Sequence, residues 1–461
     1  MPDEIVKYDS IIIGSGQGGN PLGIQLAQRG EKVALIEPGL LGGTCINTGC
    51  TPTKTMVASA QLAHYARNAK RWGVEAHAVR VDLRAVVKRK NDVVASFRSG
   101  WEKKWEGHEN PRLYRGKGRF VGSKRVEVNQ QILEGERIFI DTGGSPAVPS
   151  IPGLDAIPYL TNVSILDLNE LPEHLLVLGG GYVGLEFGQM FRRFGSAVTV
   201  IQSGERILPN EDDDITDTLT RALEAEGIQF LLAAHASRVE RKNGRIALAV
   251  DGKGGRRIVS GSHLLLAVGR TPNTKDLGLG NAGIQTTEKG FVVVNERLET
   301  TAPNVWAIGD VTGGPAFTHI SYNDYQIIYG NLYEGKALST TKRIVPYAVY
   351  TDPALGRVGL TEKAARAQGR RLKIGKMPMS SVARAIERGE TAGLMKIIVD
   401  AATDRVLGAS LLAAEGGELV QILSTLMLAD QPYTLLKGAI YIHPTLAEGF
   451  FGLMESVKEV Q

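Results

Sequence analysis

Two copies of one glycine-rich pattern, beginning at Gly14 and at Gly179, 165 residues apart, constrain this chain more than any other feature. Ahead of the first copy runs Tyr8-Asp9-Ser10-Ile11-Ile12-Ile13, a β-branched segment suited to a buried parallel strand. It leads straight into Gly14-Ser15-Gly16-Gln17-Gly18-Gly19, a helical pattern to about Arg29 with Gly30 as C-cap, and the strand-like Lys32-Val33-Ala34-Leu35-Ile36-Glu37. The second copy repeats the order: Leu175-Leu176-Val177-Leu178, then Gly179-Gly180-Gly181-Tyr182-Val183-Gly184, a helical stretch to about Phe194, and Ala197-Val198-Thr199-Val200-Ile201-Gln202. In a G-x-G-x-x-G turn the first glycine (Gly14, Gly179) permits the sharp bend. The second (Gly16, Gly181) lets a diphosphate approach the backbone, and the third (Gly19, Gly184) allows close helix–strand packing. The simplest reading is an α/β protein with two Rossmann-like dinucleotide-binding domains.

An acid is expected about 20 residues past such a turn, to hold ribose hydroxyls. Glu37 lies 18 residues after Gly19 and fits. The matching position of the second copy, 18 residues after Gly184, is Gln202. A carboxylate there would repel a ribose 2′-phosphate; Gln202 does not, and Arg206 stands close by with positive charge. The second site therefore favours NADPH. The alternatives are a Gln202 hydrogen bond to the ribose of NADH, or a site that takes both.

The length of 461 residues allows two to four domains at roughly 100–200 residues each. A net charge of +4 is too even to point to nucleic acid or a membrane surface. No run of 18 apolar residues occurs and residues 1–8 have no signal-peptide core, so a cytoplasmic protein without a membrane span is expected. Residues 55–105 read as helical, and the charged stretch Lys88-Arg89-Lys90 as a solvated helix face. Gly144-Ser145-Pro146-Ala147-Val148-Pro149 with Ile151-Pro152-Gly153 reads as a linker. Asn304-Val305-Trp306-Ala307-Ile308-Gly309-Asp310 is a further strand and turn. Past about residue 341 strand-like pieces precede helices near 416–429 and 446–458, which marks a separate α+β domain. The expected division is 1–150, 151–270, 271–340 and 341–461, the first and third parts forming one domain.

Between the two copies lies Leu41-Gly42-Gly43-Thr44-Cys45-Ile46-Asn47-Thr48-Gly49-Cys50-Thr51-Pro52-Thr53-Lys54. It holds the only cysteines, so a secreted disulfide framework is not indicated and redox catalysis or metal binding is. Cys-x4-Cys at a helix start can close a small disulfide ring, and the helix dipole favours thiolate there. A metal site would need further ligands, and the commoner zinc spacing is Cys-x2-Cys, so none is expected. Inert buried thiols are the other reading. Lys54 alone would be an ordinary surface lysine; four residues after Cys50 in a helix, it shares that cysteine's face.

Taken together, the chain resembles the pyridine nucleotide–disulfide oxidoreductases, which include glutathione reductase, dihydrolipoamide dehydrogenase and mercuric reductase. The resemblance spans nearly the whole chain. It is carried by the first glycine motif, Gly42-Gly43-Thr44-Cys45 with Cys50 and Lys54, and the second motif with Glu186. Val268-Gly269-Arg270-Thr271-Pro272-Asn273, Trp306-Ala307-Ile308-Gly309-Asp310-Val311 and His443-Pro444-Thr445-Leu446-Ala447-Glu448 complete it. It implies FAD in the first nucleotide domain, NADPH or NADH in the second, and a C-terminal dimerisation domain. FAD would be held by Gly14, Gly16, Gly19, Glu37, Gly43, Thr44, Thr142, Gly143 and Asp310. The pyridine nucleotide would be held by Gly179, Gly181, Tyr182, Gly184, Gln202 and Arg206. Gly269 and Arg270 belong to the same cofactor-binding set. Cys50 would be the flavin-side thiol and Cys45 the one that exchanges with substrate. Lys54 would pair with Glu186 beside the flavin, and Tyr182 would gate the nicotinamide pocket. His443, oriented by Glu448, would act as acid and base on the disulfide of the other subunit.

Within the family the mercuric reductase-like and reactive-chlorine-resistance branch looks closest. The features are Cys45-Ile46-Asn47-Thr48-Gly49-Cys50-Thr51-Pro52-Thr53-Lys54-Thr55, Gly309-Asp310-Val311-Thr312-Gly313-Gly314 and Phe317-Thr318-His319-Ile320-Ser321-Tyr322-Asn323-Asp324-Tyr325. The sequence ends Glu455-Ser456-Val457-Lys458-Glu459-Val460-Gln461, without the cysteine pair typical of mercuric reductases. Asp141 replaces the small residue usual in its stretch. The expected function is reduction of a small thiol-reactive acceptor: an oxidised sulfur species, a disulfide, or a thiophilic ion such as Hg(II) or Cu(II). The rivals are a dihydrolipoamide dehydrogenase working towards NAD and a redox-inert flavoprotein that binds partners.

Overall fold

The apolar run Val6–Ile13 sits in the middle of a seven-stranded sheet in the computed structural model, which describes residues 5–460. It pairs in parallel with Val33–Ile36 on one side and Gln131–Ile140 on the other. Gln131–Ile140 is long enough to take two partners: its first half pairs antiparallel with Arg125–Val128, and Ile138, Phe139 and Ile140 pair in parallel with Val305–Ala307. Side chains alternate across the pleat. Ile11, Ile13, Ile138 and Ile140 join one buried cluster with Phe120, Val126 and Val311. Ile12 and Phe139 join the other, with Leu22, Leu26, Trp105 and Trp306. Each large side chain buried this way contributes about 1.5–3 kcal/mol, which fixes the strand faces.

This sheet and its helices form one compact unit, made of the chain up to Met56, Arg84–Ala147 and Gly269–Arg343. The other unit is Val57–Leu83, Val148–Val268 and the chain from Ile344 onward. It holds a parallel sheet in the order Ile228–Leu231, Ala197–Ile201, His174–Leu178, His263–Leu266 and an antiparallel one of Ala234–Lys242, Arg245–Gly252 and Gly255–Gly261. A six-stranded antiparallel sheet is built from Tyr347–Val349, Ala354–Gly359, Val406–Ala413, Leu394–Asp400, Leu372–Pro378 and Lys458–Val460.

Several local expectations are corrected. The helical region 55–105 is broken: the helix Cys50–Asn68 ends, a 3-10 turn Ala69–Trp72 follows, and a new helix runs Leu83–Trp105. In it Lys88 and Arg89 are exposed but Lys90 is buried, so the charged run is not a wholly solvated face. The start of the expected linker, Gly144–Pro146, is a strand paired with Arg270–Pro272. The last helix stops at Glu455, and Lys458–Val460 extends the sheet beside Leu372, Lys373 and Ile374. An open sheet edge and the β-branched Val457 and Val460 outweigh helical periodicity there.

Within the second unit, ion pairs join the helix Asp213–Ala225 to the six-stranded sheet. The buried Lys396 places Nζ 2.8 Å from Glu362, 3.0 Å from Asp212 and 3.0 Å from Asp214. Burial opposes charge on Asp214 and Glu362, yet Lys376 and Lys396 hold Asp214 low, and Lys396 and Arg366 hold Glu362 low. Lys396→Ala takes a shared cation from Asp212, Asp214 and Glu362, of which Asp214 keeps Lys376 and Glu362 keeps Arg366, and should cost about 3 kcal/mol in urea unfolding. Because the two carboxyls are depressed, their contribution is present above the ordinary carboxylate range and is lost as pH falls through their folded values. Wild-type stability should therefore fall more steeply on acidification than that of Lys396→Ala.

Candidate active site

In the first unit the turn after Val6–Ile13 is pressed against the end of Gln131–Ile140. Gly14 has φ +101°, and a Cβ there would lie 2.2 Å from the Asp141 carbonyl oxygen. A Cβ on Gly16 would lie 2.6 Å from the Asp141 carboxylate, and on Gly19 2.8 Å from it. At Gly14 the backbone itself excludes any side chain, whereas at Gly16 the obstacle is the Asp141 carboxylate. The Asp141 carboxylate accepts the Gly19 N–H at 2.7 Å, at the first turn of the helix Gly19–Gln28. Glu37 accepts from the Ser15 N–H (3.0 Å) and hydroxyl (2.8 Å) through one oxygen and from the Gly39 N–H (2.8 Å) through the other. It thus ties the glycine turn to the end of the second strand.

Further elements close on this turn. A Cβ on Gly43, which opens the short helix Gly43–Asn47, would lie 3.0 Å from Gly16 Cα. Thr142 follows Asp141 with its hydroxyl buried and unpaired among the described residues, and Gly143, at φ +62°, faces open space. Arg270 donates to the Gly144 carbonyl and, at 3.4 Å, to the Thr44 hydroxyl; its Nε lies 3.3 Å from Asp310. Asp310 sits in the turn Gly309–Thr312 just past the returning strand Val305–Ala307. Gly269, at φ +123°, accepts the Ala147 N–H at 2.9 Å. Glycine turns at a helix start, an unpaired buried hydroxyl and a carboxylate at a strand end suit a dinucleotide such as FAD.

Both cysteines stand next to this cradle. Cys45 is half-buried in Gly43–Asn47; Cys50 is exposed and begins the helix Cys50–Asn68, with Lys54 one turn on. Cys50 Sγ lies 3.2 Å from the Thr318 hydroxyl at the start of the helix Thr318–Tyr333. The hydrogen bond with the Cys50 sulfur, then burial, push the Cys45 thiol far above its ordinary range, against Thr318 and Lys54. The pair therefore resists carrying charge on both sulfurs at once.

The second unit carries the second glycine turn. Gly179 has φ +112°, and a Cβ there would lie 2.3 Å from the Ala267 carbonyl oxygen. A Cβ on Gly184 would lie 2.1 Å from the Gly179 carbonyl oxygen, whereas one on Gly181 would meet nothing within 4 Å. Tyr182 opens the helix Tyr182–Phe194. Gln202 accepts the Gly180 N–H at 2.9 Å. Arg206 is paired with Asp217 at 2.9 Å and Asp213 at 3.4 Å, so the positive charge expected near the ribose is shared with two carboxylates. Glu186 is buried and accepts the Tyr350 N–H at 2.9 Å. His443 Nδ1 lies 3.0 Å from each Glu448 oxygen, with the ring largely exposed.

The structure thus places Gly14, Gly16, Gly19, Glu37, Gly43, Thr44, Cys45, Cys50, Lys54, Thr142, Gly143, Gly269, Arg270 and Asp310 in one unit. Gly179, Gly181, Tyr182, Gly184, Glu186, Gln202, Arg206, His443 and Glu448 lie in the other. Sequence reasoning missed Thr318 as a partner of Cys50. It also missed Asp324, which accepts the Gly309 N–H at 2.8 Å and pairs with Arg343. Both lie in the stretch Phe317–Tyr325 that carries the branch resemblance, but that stretch assigns neither a partner; the other signal for Thr318 was its place at a helix start after Gly313-Gly314-Pro315.

Residues 8–324 match the family described as pyridine nucleotide-disulphide oxidoreductase, and residues 345–452 match its dimerisation domain. The chain is 39% identical to the probable pyridine nucleotide-disulfide oxidoreductase RclA of Escherichia coli, over 98% of this chain and all of that one. It is 36% identical to a mercuric reductase of Bacillus cereus (96% of this chain, 70% of that one) and to a dihydrolipoyl dehydrogenase of Thermus scotoductus (98% of each). Among solved structures it is similar to the Cu(II) complex of the HOCl-induced flavoprotein disulfide reductase RclA from E. coli, with a TM-score of 0.90 and 38% identity over 98% of this chain and all of that one. With this fold, these matches and a cysteine pair beside a dinucleotide cradle, the chain belongs to the pyridine nucleotide-disulphide oxidoreductases, flavoprotein disulfide reductases whose members use FAD and a pyridine nucleotide.

Proposed function

We propose that this protein is an NADPH-dependent reductase whose Cys45–Cys50 pair delivers electrons to a small thiol-reactive acceptor: an oxidised sulfur species, a small disulfide or a thiophilic metal ion. The observation that carries this reading is the pairing of the two sulfurs with each other and with Thr318, in the unit that also holds the FAD cradle. FAD held by Gly14, Gly16, Gly19, Glu37, Gly43, Thr44, Thr142, Gly143 and Asp310, with Gly269 and Arg270 bracing the cradle, supplies the two-electron redox chemistry. In the first unit Lys54 is the polar group that tunes the flavin, and in the second Glu186 and Tyr182 serve the pyridine nucleotide.

The chain's own chemistry is a thiol–disulfide exchange. With a disulfide acceptor, Cys45 attacks one acceptor sulfur and the other leaves as a thiolate. Cys50 then displaces the bound half, so the acceptor ends as two thiols and the enzyme as the Cys45–Cys50 disulfide. Because the Cys45 thiol is pushed up, it needs a base to become a nucleophile. His443 is that base and protonates the leaving thiolate, while Glu448 holds Nδ1 and leaves Nε2 for the sulfur. The match of residues 345–452 to a dimerisation domain supports a homodimer in which His443 of one subunit serves Cys45 of the other. The acceptor class is supported by relatives named mercuric reductase and by one solved as a Cu(II) complex and described as HOCl-induced.

NADPH is favoured because Gln202 presents an amide to the second glycine turn, with no charge to repel a 2′-phosphate. Arg206 is solvent-exposed, and its pairs with Asp213 and Asp217 are readily exchanged for a phosphate.

Gln202→Glu should raise the ratio of kcat/KM for NADH over NADPH by about tenfold or more, the equivalent of roughly 1.4 kcal/mol. Gly181→Ala should leave the melting temperature unchanged, since its Cβ meets nothing, yet raise the KM for NADPH about tenfold by intruding on the diphosphate path. Gly184→Ala should instead lower the melting temperature, because its Cβ collides with the Gly179 carbonyl. The function itself is tested by following NADPH and NADH oxidation with Hg(II), Cu(II), hypothiocyanite, glutathione disulfide and lipoamide. Cys45→Ser and Cys50→Ser should each cut turnover with the best acceptor on the order of 10³-fold. Full activity in both would sink the disulfide mechanism, and preference for lipoamide with NAD would make the protein a dihydrolipoamide dehydrogenase.

A further inference from the structure

Asp141 is a carboxylate where the site is built to receive an anion. It follows Gln131–Ile140, held by its own N–H to the Ile13 carbonyl at 2.8 Å. Its side chain is buried and fills the space that Gly16 and Gly19 leave beneath the first turn. One oxygen takes the Gly19 N–H, a donor at the start of the helix that a diphosphate would otherwise engage. We propose that Asp141 is the residue that sets how firmly FAD is retained: wedged under the diphosphate cradle, it admits the cofactor when uncharged and expels it when ionised.

Charged groups reach Asp141 from each neighbouring element. Asp310 lies in the turn Gly309–Thr312 and is paired with Arg270, and Asp324 lies on the helix Thr318–Tyr333 and is paired with Arg343. Glu37 stands at the end of the second strand, bonded to Ser15. Burial pushes the Asp141 carboxyl well above the carboxylate range; the Gly19 N–H opposes this, and Asp310, Asp324 and Glu37 add to it. No cation touches Asp141 directly among the described contacts. A doubly charged diphosphate at the same helix start would push the carboxyl higher still. By linkage, FAD binding is then full below the Asp141 range of the free protein and weakens as pH rises through it. The rise is set by this group, not by the flavin, so neutral replacements remove it.

This inference rests on the reading that the first unit binds FAD. It is tested by diluting the holoenzyme at a series of pH values and measuring released FAD by its fluorescence, with circular dichroism to confirm that the fold persists. The wild-type dissociation constant for FAD should rise at least about tenfold as pH is raised from the ordinary carboxylate range to the highest pH at which the fold persists, a factor that one unit of pKa shift supplies. Asp141→Asn keeps an acceptor for the Gly19 N–H without charge, and Asp141→Ala restores a small residue; both should rise less than about threefold. Variants that follow the wild-type curve, or a wild-type curve that is flat, overturn the role of Asp141 while leaving the FAD reading intact. A protein that holds no FAD at any pH overturns the cofactor reading and this inference with it.

Discussion

The parallel register of Val6–Ile13 against Gln131–Ile140 is the constraint on which the first unit depends. It sets Ile13 opposite Ile140, so that Gly14 and Asp141 leave their strands side by side. Val305–Ala307 pairs with the same end of Gln131–Ile140, which delivers Asp310 to the mouth of the same cradle. A slip of one residue would turn Ile11 and Ile13 towards the Trp105–Trp306 cluster and Ile12 away from it. Burial of these β-branched side chains and placement of Gly14, Asp141 and Asp310 are therefore one event.

Charge is handled differently in the two places where it matters most. In the cysteine pair, the hydrogen bond between the sulfurs and partial burial push the Cys45 thiol up, so that on the proposed reading a base must take its proton before it attacks. In the second unit, Lys396 is surrounded by Asp212, Asp214 and Glu362, and Arg193 is held by Glu226 and Asp352. These buried pairs hold the helices around the second nucleotide turn against the six-stranded sheet, at positions far apart in sequence.

What the sequence disclosed was whatever has a local physical cause. The glycine turns were legible because Gly14 and Gly179 need a positive φ and Gly184 lacks space for a Cβ. The cysteines were legible because only two occur and both lie by the first turn. Thr318 was not, because its partner Cys50 is 268 residues away and a lone threonine has no pattern. Lys90 and Lys396 were illegible for the opposite reason: composition places lysine outside, and for Lys396 it is Asp212, Asp214 and Glu362, distant in sequence, that make burial tolerable. The helix expected near 446–458 was drawn past its end at Glu455, and the strand Lys458–Val460 was missed, because its partner edge, at Leu372, lies far upstream.

The central claim is that electrons leave through Cys45 and Cys50. An anaerobic titration of the FAD-loaded protein with dithionite tests it most directly, by counting reductant consumed per flavin. A flavin and a two-electron disulfide in one chain require about twice the reductant taken up by the Cys45→Ser, Cys50→Ser double variant. The account predicts that difference. Equal uptake by the oxidised wild type and the double variant would contradict it, because the cysteines would then hold no electrons to give.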